Sequence, residues 1–135
     1  MRYQRAESPA LLNGFDAACR FFASCLTPED RSRERLWVAH VDEAARCIHL
    51  ARYDGDQWFA DVPVRSIIAD AARHGSAGVV LAHNHPSGDP LPSRADCRAT
   101  RVLALAGETI EVSVLDHLIF AKGAACCSMR RLGFL

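Results

Sequence analysis

Apolar residues recur at helical spacing in three parts of the chain. Between Pro9 and Leu26 they predict an amphipathic helix, with Leu11, Phe15, Ala18, Phe22 and Cys25 on one face. The segment "VPVRSIIADAARHG" shows the same spacing and ends in glycine, as helices with a left-handed cap do. A further helix is expected from Ser93 to about Ala106, with Gly107 at its end.

Other segments have the patterns of strands. "LWVAHV" and "RCIHLARY" flank "DEAA" and predict a hairpin, after which "DGD" turns the chain into a short strand near Trp58 and Phe59. "SAGVVLAH" is a short, β-branched apolar run and predicts a buried strand. In "TIEVSVLDHLIFAKG", the alternation of Ile110, Val112 and Val114 predicts the last strands. Because helices interrupt the strands throughout, we expect an α/β fold in which helices flank a mixed sheet.

Length and charge narrow the class of protein. A chain of 135 residues fits one domain that can bury a core without a disulfide or a metal. Sixteen Lys and Arg balance sixteen Asp and Glu, so no charge excess favours nucleic acid or an anionic membrane, although nucleic acid stays open. No apolar run approaches ~20 residues, and charges stand where a signal peptide would be apolar. We therefore expect a soluble, cytoplasmic protein without a membrane partner.

The cysteines do not form a recognisable metal or redox motif. There are six, and none belongs to a Cys-x-x-Cys pair. We interpret most of them as small buried apolar residues, which needs no disulfide in a reducing cytoplasm. A redox-active pair at Cys126 and Cys127 is the alternative. The indole and phenyl rings of Trp37, Trp58 and Phe59 are interpreted as packing groups and not as a platform for bases.

The stretch "LAHNHPSGDPLPSRAD" contains candidate metal ligands. His83 and His85 are two residues apart at the end of a predicted strand, so both rings can point to one place. Asp96, in the first turn of the next helix, can complete a set of three ligands that leaves a position open for water, as in catalytic zinc sites. Taken singly, Ser93-x-x-Asp96 also fits a helix capping box, and His-x-His pairs occur by chance. Their combination favours a metal site.

The same residues resemble a known motif. His83-x-His85, seven residues, Ser93, two residues and Asp96 resemble the JAMM motif of JAB/MPN metalloproteases, and "HNHPSGDPLPSRAD" is similar to its RadC-family version. The later "VLDHLIF" also resembles a block of that family. The resemblance implies a cytidine-deaminase-like JAB/MPN core over residues 33–135, after an N-terminal helical segment at residues 1–32. It also implies Zn²⁺ bound by His83, His85 and Asp96.

Further roles come from the resemblance. "RERLWVAHVD" is similar to the segment that carries the family's upstream glutamate, which places the role of general base on Glu34; read alone, Glu34 is a solvated residue at a strand start. Ser93 would donate a hydrogen bond to the oxyanion of the reaction. The implied activity is that of a zinc metallopeptidase that cleaves peptide or isopeptide bonds, with a peptide or protein conjugate as its substrate. A homodimer stays open.

The sequence departs from the family pattern in two places, and two other functions are alternatives to the metallopeptidase. Longer RadC-type proteins carry a helix-hairpin-helix module, for which Met1 to Ser32 is too short, and the usual Gly-Thr segment is not evident in "ARYDGDQWFADVPVRS". The alternatives are a factor in DNA repair or processing, which the balanced charge disfavours, and a non-catalytic MPN scaffold, which the complete ligand set disfavours. The sequence leaves His117 open as an orienting or a structural group. The remaining histidines are interpreted as surface or core residues: His40, His49 and His74.

Overall fold

The protein is a mixed α/β fold with helices on both faces of one sheet. The computed structural model describes residues 10–26, 34–54, 62–86, 88–121 and 126–135. In chain order, its elements are α1 (Phe15–Cys25), β1 (Arg35–Val41), β2 (Cys47–Asp54), α2 (Val64–His74), β3 (Gly78–Asn84), α3 (Arg94–Glu108), β4 (Ser113–Phe120) and β5 (Cys126–Ser128).

The sheet brings together strands that are distant in sequence. Its order is β2-β1-β3-β4-β5, with β3 and β4 parallel and every other neighbouring pair antiparallel. The parallel pair needs a crossover, which α3 supplies. The predicted mixed sheet flanked by helices is confirmed.

The register of β1 against β3 creates the edge where the candidate site lies. The two strands are antiparallel, and Leu36 pairs with His83. The start of β1 therefore lies beside the end of β3, although 49 positions separate Glu34 from His83. Because α3 begins soon after β3 ends, its first turn returns to the same edge.

Two apolar cores cover the two faces of the sheet. One lies under α2 and α3 and includes Leu36, Ile67, Leu81 and Leu103; the other lies under α1 and includes Phe22, Trp37, Val80 and Leu118. Burial of a large aliphatic side chain contributes about 1.5–3 kcal/mol, so the two clusters can hold the fold without a metal. Trp37 is buried in the second cluster, as its interpretation as a packing residue requires.

Helix α1 begins at Phe15 and not at Pro9, because the residues before it pair with the hairpin. Leu11 forms a β-bridge with Arg46, and the Leu12 amide donates to the Ala45 carbonyl at 2.8 Å. The apolar side chains there serve an extended segment. The hairpin itself is confirmed, whereas the predicted strand near Trp58 and Phe59 lies outside the described residues.

The two predicted glycine stops differ in outcome. Gly75 adopts the left-handed conformation (φ 64°, ψ 38°) and ends α2 as expected. Helix α3 instead continues to Glu108, and a Cβ atom at the buried Gly107 would collide with the carbonyl oxygen of Val112. Gly107 thus permits the close return of the chain towards β4. This return places Ile110 and Val112 before the strand, which begins at Ser113, so that Val114 alone of the three alternating residues lies in it.

The prediction of buried cysteines is wrong in degree. All six lie in described ranges without a disulfide, and each is only half-buried. Four of them pack at the margin of the core under α1, namely Cys19, Cys25, Cys47 and Cys126.

No helix in the described ranges is both long and apolar enough to cross a membrane.

Candidate metal centre

The two histidines at the end of β3 point to one place. His83 is the sixth residue of the strand and His85 follows its last residue, so both lie on one side of the chain. Their ring centroids are 4.7 Å apart and the ring planes are almost perpendicular, at 87°. His83 is buried, with 1 % of its surface exposed, whereas His85 is half-buried at the rim.

Glu34 reaches the same place from the start of β1. Its Oε2 lies 2.7 Å from His83 Nε2, and 44 % of its side chain is exposed. The hydrogen bond with His83 lowers the pKa of the Glu34 carboxyl, so the group is ionised at neutral pH. One ligand atom from each of Glu34, His83 and His85 falls within 4.8 Å of the others, which could hold a metal ion.

Asp96 faces both histidines from the first turn of α3. Its Oδ2 lies 3.3 Å from His85 Nε2, and its Oδ1 lies 3.6 Å from His83 Nδ1. The capping box is also present, since the Asp96 amide donates to Ser93 Oγ at 2.9 Å and the Ser93 amide donates to Asp96 Oδ2 at 2.8 Å. The helix cap and the site are thus not alternatives, because the cap holds the carboxylate towards the histidines.

The charges of the site suit a cation. Burial raises the pKa of Asp96, but hydrogen bonds from His85 and the Ser93 amide, with the nearby charge of His83, outweigh it and leave that pKa well below its ordinary value. The same hydrogen bond with Asp96 raises the pKa of His85.

The loop after β3 fixes the orientation of the His85 ring. Its Nδ1 donates to the carbonyl oxygen of Asp89 at 2.9 Å. When Nδ1 carries the hydrogen of a neutral ring, Nε2 presents a lone pair, and here Nε2 is the atom that faces Asp96. Two imidazoles and a carboxylate are one of the donor sets of catalytic zinc sites, so the residues present fit the predicted ion.

Asn84 is a functional candidate that the sequence reasoning missed. It lies between the two histidines on the opposite side of β3, where its Oδ1 accepts from the Arg35 amide at 2.7 Å. The side chain is buried, with 4 % exposed. This bond ties the residue next to Glu34 to the strand that carries His83. The available signal was a polar residue at the end of β3, on the face of the strand that is otherwise apolar.

His117 lies behind the site and not in it. The Thr100 hydroxyl donates to the Asp96 carbonyl oxygen at 2.7 Å and accepts from His117 Nδ1 at 2.8 Å. Burial lowers the pKa of His117, so the ring is neutral, and its centroid is 5.7 Å from that of His83. His117 therefore supports the backbone of the first turn of α3 through Thr100.

A cleft of about 360 Å³ opens beside these groups. Ser93 lines it, and a hydroxyl that accepts at a helix cap keeps its own hydrogen for donation. The wall also carries the exposed side chain of Leu91, at 56 %. The lining residues are Glu34, His85, Pro86, Asp89, Leu91, Pro92 and Ser93.

Comparison with known proteins identifies related sequences over most of the chain. A family model for the RadC-like JAB domain matches residues 12–134. A UPF0758 protein of Methanospirillum hungatei is 46 % identical over 71 residues, which are 53 % of this chain and 31 % of that protein. A UPF0758 protein of an Acidovorax species is 42 % identical over 96 residues, 70 % of this chain and 40 % of the relative. The chain thus aligns with about a third of the length of these relatives.

Proposed function

Because the chain belongs to the RadC-like JAB domain family, we propose that it is a zinc-dependent hydrolase that cleaves peptide or isopeptide bonds. The observation that carries this proposal is that Glu34, His83 and His85 bring ligand atoms together at one end of β1 and β3, while Asp96 faces both histidines from α3. The family is one of metal-dependent hydrolases. The peptide substrate and a cytoplasmic location are our proposals for this chain.

His83, His85 and Asp96 would hold the ion, and Glu34 would remain the base. Asp96 supports the ligand role because it is buried, kept anionic and fixed by its cap. Glu34 supports the role of base because it lines the cleft and nearly half of its side chain is exposed, which leaves room for water and substrate. A bound zinc ion would supply Lewis acidity, which lowers the pKa of water towards about 7 and polarises a carbonyl.

The chain's own groups move the protons. Glu34 would take a proton from the attacking water and return it to the amine as the peptide bond breaks. Its depressed pKa keeps it ionised and ready to accept the proton at neutral pH. The hydroxyl of Ser93 would donate to the developing oxyanion, while its lone pair continues to cap α3.

The experiment compares two carboxylates that this mechanism separates. Glu34→Gln removes the base but keeps its size and polarity, so zinc content and folding should persist while hydrolysis falls by about 10²–10⁴-fold. Asp96→Asn weakens a ligand and should lose zinc together with activity. Elemental analysis measures the metal, and peptides and lysine-linked conjugates cleaved by the wild type serve as substrates.

Three outcomes would count against the proposal. If Glu34→Gln cleaves as fast as the wild type, Glu34 is not the base. If Glu34→Gln loses zinc as fully as Asp96→Asn does, Glu34 is a ligand and the assignment of roles is wrong. A wild type that binds zinc but cleaves nothing in a broad panel would favour a non-catalytic scaffold.

A further inference from the structure

Three histidines form a second cluster at the opposite edge of the sheet. His40 of β1 pairs directly with His49 of β2, and His74 is the last residue of α2. The ring centroid of His40 lies 5.5 Å from that of His49 and 6.1 Å from that of His74. Five positions of strand separate His40 from Arg35, which at about 3.3 Å per residue is roughly 17 Å, so the cluster is distinct from the metal centre.

The buried ring of His40 has one nitrogen without a partner. His40 is fully buried, and its Nδ1 is 2.9 Å from the Ser76 hydroxyl. Its Nε2 has no hydrogen-bond partner among the described residues. An unsatisfied buried polar atom costs about 1–3 kcal/mol, whereas a nitrogen that binds a metal is satisfied. Burial also lowers the pKa of His40 to about 4, which keeps the ring in the neutral form that ligates metals.

We propose that His40, His49 and His74 form a second metal site, for a divalent transition ion that prefers nitrogen ligands, such as zinc. Three imidazoles on one zinc ion, with bonds of about 2.0–2.1 Å, have ring centres roughly 5 Å apart. The two distances from His40 are within about an ångström of that value.

The third distance shows what must change when the ion binds. The rings of His49 and His74 are stacked at 3.9 Å with 17° between their planes, and two parallel rings cannot both point at one ion. His74 is exposed, ends its helix and precedes the left-handed Gly75, so its ring can rotate without disturbing the core. The bound ion would join the end of α2 to the β1–β2 hairpin.

Zinc titration of the metal-free, untagged chain by calorimetry tests the proposal. The double variant His49→Gln with His74→Gln should lose one binding step that the wild type shows. The double variant His83→Ala with His85→Ala should keep this step, because it alters only the first site. Ala72→Gln adds a glutamine at an exposed position of the same helix and should bind zinc as the wild type does.

A second readout ties the binding step to the three rings. In His83→Ala with His85→Ala, saturating zinc should shift the ring nitrogen resonances of His40, His49 and His74 together. The site is absent if these resonances do not move, or if the His49→Gln, His74→Gln variant keeps every binding step. Failure of the proposed hydrolase would leave both results unchanged, since neither uses a substrate or the first site.

Discussion

At the scale of single residues, the carboxamide of Asn84 determines where β1 begins. Its Oδ1 accepts a hydrogen bond from the Arg35 amide at 2.7 Å, and Glu34, the residue before Arg35, lines the cleft. Asn84→Ala removes this acceptor, which should lower the free energy of unfolding by about 1–3 kcal/mol. We expect hydrolysis to fall by at least about tenfold while zinc stays bound, because the base moves and the ligands do not.

Hydrogen exchange of the Arg35 amide checks the cause. The amide should be protected in the wild type and in Asn84→Asp, which retains the acceptor oxygen, and should exchange faster in Asn84→Ala. Equal protection in all three proteins would show that Asn84 does not hold Glu34 in place.

His40 gives a second residue-scale prediction, on pH. Its pKa in the folded, metal-free protein is about 4, below the ordinary value of 6.5, mainly because of burial. Between these values the unfolded chain binds more protons than the folded one, so stability is complete above pH 6.5 and decreases as pH falls towards 4. The loss should be on the order of 2–3 kcal/mol.

Chemical denaturation in the presence of a chelator measures this slope. His40→Gln keeps a group that can bond to Ser76 but does not titrate, so the part of the slope between pH 6.5 and pH 4 that His40 contributes should disappear, while His117, whose pKa burial also lowers, keeps its own part. An unchanged slope would assign the pH dependence of stability in this range to other groups, above all His117.

The sequence pointed to the residues of the candidate metal centre but not to the groups that position them. The spacing of His83, His85 and Asp96 can be read from the motif, because the pitch of a strand and the start of a helix make it meaningful. Asn84 and the Asp89 carbonyl could not be read in this way. Their roles depend on the register of β1 against β3 and on the path of a loop, which no local pattern determines.

At the scale of elements, the N-terminus of α3 combines a structural and a chemical task. Ser93→Ala removes the hydroxyl that accepts from the Asp96 amide, and loss of such a cap costs about 0.5–2 kcal/mol. Because the same turn aims the Asp96 carboxylate, zinc should also bind more weakly, by about 10-fold or more. Denaturation and competition with a chelator measure the two effects.

A threonine provides the matched control for this helix. Ser93→Thr keeps the hydroxyl and should retain most of both the stability and the zinc affinity. Full zinc affinity in a destabilised Ser93→Ala protein would mean that the cap does not orient the ligand.

The ends of helices and strands were predictable where residues within the same segment determine them. The left-handed Gly75 ends α2 for reasons within its own segment. The start of α1 was wrong because the backbone around Leu11 and Leu12 pairs with the hairpin, and the start of β4 was wrong because Gly107 lets the chain pass close to Val112. In both cases the deciding contact is distant or depends on tertiary packing. The boundary between residues 1–32 and 33–135 remains a prediction.

At the scale of the whole molecule, the fold and the metal centre are separable. The two apolar cores lie on the faces of the sheet, and the site lies beside them, where β3 ends and α3 begins. Small zinc domains unfold without their metal because they have little else to bury, whereas this chain has a core on each face. Removal of the metal should therefore lower stability without unfolding the protein.

The linkage between zinc binding and folding determines how much stability is lost when the metal is removed. At a free zinc concentration 100 times the dissociation constant, binding stabilises the folded state by about 2.7 kcal/mol, so a chelator should lower the unfolding midpoint by several degrees while circular dichroism at room temperature stays the same. In His85→Ala, a chelator should lower the unfolding midpoint by less than it does in the wild type. The shift should also shrink as pH decreases through the raised pKa of His85, because a proton then occupies the nitrogen that the metal needs. Loss of helix and strand signal on chelation at room temperature would contradict the separation of fold and site.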